Sequence, residues 1–152
     1  MNKVLLRAKG FAGQIELLEN KVRIERKGPM AFLLFGGRKK KEFSINEISS
    51  IKFEGAGLTH GYIRFRIGKE TEGFLNRYEL IRDVFTVFFN IFQQPAFRKI
   101  KDKIERKISN VLKANGKEER KLKEFQGLVR LRDRGVISKS EFEKERKKLL
   151  GF

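Results

Sequence analysis

A switch in hydrophobic period at Pro95 constrains this chain more than any other feature. Before it, apolar and polar residues alternate in short runs broken by glycine, the period-two pattern of half-buried strands. After it, apolar residues recur every three or four positions among Lys and Glu, the pattern of amphipathic helices. The fold expected is α+β. A small antiparallel barrel or sandwich of about seven strands comes first, then an amphipathic helix that caps it, then a short helical hairpin.

The strands are expected at 2–8, 14–18, 22–26, 41–44, 48–54, 62–67 and 84–92. In 62–67 the alternation places Ile63, Phe65 and Ile67 on one face. Residues 30–35, between Gly28-Pro29 and Gly36-Gly37, fit either a short strand or one helical turn. Pro95 suits the first turn of a helix, where its missing N–H is no loss. Phe97, Ile100, Ile104, Ile108 and Val111 then form one apolar stripe. Asn115-Gly116 reads as its stop signal. In the tail, Leu122, Phe125 and Val129 share a helix face, and Arg134-Gly135 ends that helix. Ser138-Lys139-Ser140-Glu141 is a capping box opening the last one. The domains expected are therefore 1–114, a linker at 115–119, and 120–152.

Charge and composition narrow the function classes. The 152 residues carry 36 Lys and Arg against 19 Asp and Glu, a net charge of +17. Residues 1–95 hold +7 of it and residues 96–152 hold +10, mostly on helix faces opposite the apolar stripes. With no cysteine there is no disulfide framework, zinc ribbon or thiol nucleophile. No apolar run approaches the ~20 residues that span a bilayer. The expectation is a soluble cytoplasmic protein, with a peripheral membrane position as its variant.

The tail has a recognisable pattern. Leu128-Val129-Arg130-Leu131-Arg132-Asp133-Arg134-Gly135-Val136-Ile137-Ser138, then Glu141-Phe142-Glu143 and Lys147-Lys148-Leu149-Leu150, closely resembles the bacterial and archaeal short C-terminal (SHOCT) domain. Ile48-Ser49-Ser50-Ile51, Gly57-Leu58-Thr59-His60-Gly61-Tyr62-Ile63-Arg64-Phe65 and Thr86-Val87-Phe88-Phe89 resemble the bacterial pleckstrin-homology-like domain that often precedes it. Residues 74–83 depart from that pattern, being longer and more apolar. The two resemblances imply a PH-like barrel followed by a SHOCT hairpin, with an oligomerising or adaptor role.

No residue set points to chemistry. His60 lies between glycines and reads as a turn residue, since a lone His needs partners to act. Glu70/Glu72 and Glu118/Glu119 sit among lysines, as solvated charge mosaics do. No catalytic, cofactor-binding or metal-binding residue is expected, no cofactor, and no small-molecule substrate. The function expected is a non-enzymatic adaptor that forms a homo-oligomer or takes a protein partner. Its contact residues are Leu122, Phe125, Val129, Ile137, Phe142, Leu149 and Leu150, because two helices this short bury too little alone. The alternative is a polyanion binder for nucleic acid or an anionic membrane surface. It would act through Arg38, Lys39, Lys40 and Lys41 after Gly36-Gly37, and through Lys99 and Lys103 on the capping helix.

Overall fold

The computed structural model describes residues 3–69 and 75–151. Asn2, Glu70, Glu72 and Phe74 thus lie outside the described residues. The chain divides into two compact units, Met1–Ile108 and Ser109–Phe152.

Among the described residues, seven strands build two antiparallel sheets in the first unit. β1 (Leu6–Lys9), β2 (Gln14–Leu17), β3 (Lys21–Arg26) and β4 (Lys39–Ser44) form one sheet in sequence order. β5 (Ile48–Glu54), β6 (Gly61–Ile67) and β7 (Thr86–Phe89) form the other. A bridge between Phe11 and Phe88 links the β1–β2 turn to β7. Strand pairing explains the alternation directly. Ala8 faces Ile15, Ile15 faces Ile24, and Val22 faces Phe43, so one side of the first sheet is apolar throughout its middle. That side shares a core with Ile63, Phe65, Val87 and Phe89 of the second sheet.

Two segments resolve differently from a plain strand reading. Residues 30–35 belong to α1 (Pro29–Phe35), with Pro29 at its start and Gly36 in the left-handed region at its end (φ 72°). The apolar run 84–92 is a strand only over Thr86–Phe89. Asp83 accepts from the Thr86 hydroxyl at 2.6 Å and turns the chain in, while Asn90 accepts from the amides of Phe92 and Gln93 and turns it out. Ile91 and Phe92 are consequently exposed. Within 74–83, the described residues hold α2 (Arg77–Arg82), opened by an Asn76–Glu79 capping box. Leu80 of α2 packs with Tyr62 and Phe88 on the outer side of the second sheet.

α3 (Gln94–Asp133) is one continuous helix of 40 residues. Its stripe enters the core of the first unit through Phe97, Ile100 and Ile104, with Ile108 packed against it. The rings of Phe53, Phe89 and Phe97 stack in a row, 5.3 and 4.6 Å between centroids. The stop expected at Asn115-Gly116 and the linker at 115–119 do not occur; those residues are helical. A helix-interior glycine costs only about 1 kcal/mol, and the neighbouring Lys, Glu, Ala and Leu are strong helix formers with no proline among them. The unit division at Ile108/Ser109 also falls before the boundary expected at 114.

In the second unit α3 ends where Arg134-Gly135 predicts. Gly135 is left-handed (φ 71°), its amide donates to the Arg132 carbonyl, and the Val136 amide donates to that of Leu131. These two bonds are a Schellman cap. α4 (Lys139–Leu150) begins at the expected Ser138–Glu141 capping box.

Candidate interaction surfaces

The four expected cations at 38–41 separate by strand parity. Across β3 and β4, Arg26 stands opposite Lys39, Glu25 opposite Lys40, and Ile24 opposite Lys41. Residues directly opposed share a face, so Lys40 lies with Glu25 on the outer side while Lys39 and Lys41 lie with Ile24 and Arg26 on the inner side.

On the outer side the charges are matched. Glu16 accepts from Arg7 and Arg23, each at 2.9 Å, and Arg23 also donates to Glu42 at 2.8 Å. This ladder crosses all four strands of the sheet. Lys40 pairs with Glu42 at 3.5 Å, and Arg38 donates through Nε to Glu25 at 3.0 Å. The Arg38 hydrogen bond holds the Glu25 carboxyl below its ordinary range, and that from Arg23 does the same for Glu42. Glu16 and Gln14 are buried in this face, and Gln14 Nε2 donates to both Glu16 and Glu25.

The inner side is not matched. Arg26 is 4% exposed. Its Nη2 donates to the carbonyls of Asp83 at 3.1 Å and of Thr86, and its guanidinium lies 4.6 Å from the Phe35 ring centroid. Among the described residues no carboxylate bonds to it. Burial pushes its pKa down to about 10. Lys39 and Lys41 have no acidic partner among the described residues; the Lys41 ammonium lies 5.6 Å from the Phe85 ring centroid. Lys39, Lys40 and Lys41 line one cavity with Arg26 and Phe35. Lys99 and Lys103 line a separate cleft with Arg106, Asp102, Leu5 and Leu6. The two sets of expected cations therefore serve two surfaces. Arg26 was missing from the expectation. Its signal was present in the parity of Val22, Ile24 and Arg26, which places it on the core side of its strand.

The second unit carries the other surface. Between Ser109 and Gly151, Phe142 alone is buried. It is flanked by the Phe125 ring at 6.2 Å and by the Arg132 guanidinium at 4.5 Å. Val129, Ile137, Leu149 and Leu150 are half-buried, and Leu122, Leu131 and Val136 are exposed. Gly127, Leu128, Leu131 and Leu149 floor an open groove between α3 and α4, edged by Glu124, Arg130, Glu145 and Lys148.

His60 is exposed, its ring 5.6 Å from that of Phe11. Among the described residues no cluster of His, Asp and Glu is arranged to hold a metal ion, and no helix is long and apolar enough to cross a membrane. No family model matches the chain, and neither does any curated protein or solved structure.

Proposed function

We propose that this chain is a non-enzymatic adaptor, a PH-like barrel carrying a SHOCT hairpin, and that it self-associates through the hairpin. The observation that carries this reading is the groove between α3 and α4. A 44-residue unit with one buried side chain among its described residues retains too little core for stability, so its remaining leucines call for a cover. The groove's edges name the occupant. Glu124 and Glu145 lie on the same rim system as Arg130 and Lys148, so the surface is complementary to itself. A two-fold contact sets Glu124 of one copy against Arg130 of the other, Glu145 being paired already with Lys148 of its own helix at 3.4 Å, while Leu128, Leu131 and Leu149 meet across the axis. Gly127 has nothing within 4 Å of a built Cβ, which leaves room for close approach.

Sedimentation of the full chain tests the reading. The wild type should dimerise at micromolar concentration, and Leu131→Glu should sediment as a monomer and lose part of its helical content, because the hairpin is left without its cover. A wild type that remains monomeric at tens of micromolar removes the proposal.

A further inference from the structure

We propose that the cavity bounded by Arg26, Phe35, Lys39, Lys41 and Val84 is a binding site for a phosphate dianion, free or at the end of a phosphorylated molecule. It goes beyond self-association and uses different residues.

The sheet register puts three cations where an inward face ordinarily carries apolar residues. Arg26 and Lys39 are direct neighbours across β3 and β4, and Lys41 follows on the same side opposite Ile24. The same sheet neutralises its outer cations one by one, with Glu16, Glu25 and Glu42. Its inner cations have no such partner among the described residues. Asp83, the carboxylate whose charge acts on Arg26, is already engaged by Arg64 Nε at 3.0 Å and by the Thr86 hydroxyl at 2.6 Å. Arg26 satisfies one end of its guanidinium on backbone carbonyls, yet its Nε is buried with no hydrogen-bond partner. Buried charge left in this state is costly unless an opposite charge completes it.

The shape and chemistry select the ligand. Arg26 forms the buried end of the cavity, while Lys39 and Lys41 are exposed at its mouth. The cavity holds about 220 Å³. That lies below the roughly 300–1,000 Å³ typical of sites for drug-sized ligands, so a single small group enters rather than a nucleotide. A buried guanidinium with its Nε unsatisfied, together with two ammonium groups, suits a tetrahedral dianion, whose oxygens accept from several directions at once. Burial already depresses the Arg26 proton affinity, and a bound anion reverses that cost.

The test is calorimetric titration of the full chain with inorganic phosphate at low ionic strength. Two double variants of equal charge loss accompany it, Lys39→Gln/Lys41→Gln and Lys99→Gln/Lys103→Gln. All four lysines are on the surface, so folding is retained. The wild type should bind saturably. The first variant should weaken binding by about tenfold or more, the loss expected for charge-assisted hydrogen bonds, and the second should leave it nearly unchanged. Absence of saturable binding, or equal weakening by both variants, overturns the site. Cosedimentation with phosphatidic acid vesicles, against phosphatidylcholine vesicles, then locates the phosphate. Capture that is lost in Lys39→Gln/Lys41→Gln places it on a lipid headgroup. Phosphate binding without vesicle capture places it on a soluble molecule.

Discussion

Arg26, the last residue of β3, donates through Nη2 to the carbonyl of Thr86, the first residue of β7, and so ties the four-stranded sheet to the three-stranded one. The same nitrogen reaches the Asp83 carbonyl. Two effects oppose each other at this position. Removing the guanidinium relieves a buried charge, but it takes a charged donor away from the carbonyl of buried Thr86 and from that of half-buried Asp83. A lost charged donor costs about 1.5–3 kcal/mol, and here more than one acceptor depends on it. Arg26→Met should therefore lower stability by about 2–3 kcal/mol in urea unfolding. Arg26→Lys should recover little of it, because an ammonium does not lie flat on the Phe35 ring while reaching those carbonyls. A Met variant as stable as the wild type would show that relief of the charge dominates.

The outer ladder makes stability sensitive to acid. Glu25 and Glu42 are both held below the ordinary carboxyl value of 4.5, by hydrogen bonds from Arg38 and Arg23 respectively. With the folded value below the unfolded one, the contribution is complete above the unfolded value. It is lost as pH falls through the depressed folded values. Glu25→Gln/Glu42→Gln should thus be less stable than the wild type near neutral pH. The gap should close in acid, as pH falls below 4.5 and then through the depressed folded values and the wild-type carboxyls gain their protons. Urea midpoints at neutral and acid pH check this; a constant gap would show that packing, and not charge, sets the difference.

The apolar stripe of α3 changes role along its length. Ile104 is fully buried in the first unit's core, while Val111 is 37% exposed. Ile104→Ala should cost about 2–5 kcal/mol through lost transfer energy and a residual cavity. Val111→Ala should cost less than about 1 kcal/mol, since alanine's helix propensity offsets the small area lost. Thermal unfolding of the two variants measures the contrast, and similar losses would place Val111 in a contact of its own.

Local chemistry was readable where one rule governed the outcome. The alternation at 22–26 and 62–67, the Ser138–Glu141 box and the left-handed Gly135 all stand where the residues put them. Where the outcome depends on partners distant in sequence, the residues alone say less. In 84–92 the apolar run hides turns made by Asp83 and Asn90, whose hydrogen bonds decide where pairing starts and ends. At 38–41, four adjacent cations read as one strip. Their division depends on Glu25, thirteen positions from Arg38 and brought near only by pairing of β3 with β4. Arg26 was overlooked because a charged residue on an inward position looks like the end of a strand rather than a part of its core.

Glycine supplies the sharpest contrast between local and global rules. At Gly116 the residue-level expectation is a helix end, yet α3 continues, and nothing lies within 4 Å of a Cβ built there. Its only consequence is the entropy of an unbranched backbone. Gly116→Ala should stabilise the helix by about 1 kcal/mol and raise helical content in the far-ultraviolet. At Gly10 the same substitution meets the Phe88 carbonyl, and the Phe97 ring at 2.8 Å. Neither gives way easily. The carbonyl accepts from the Phe11 amide at 2.7 Å in the bridge between the sheets, and Phe97 is fully buried. Gly10→Ala should cost about 1–3 kcal/mol, the usual range for an overpacked core. Thermal unfolding should then move the two midpoints in opposite directions. A destabilised Gly116→Ala would mean that this part of α3 needs the freedom glycine gives it.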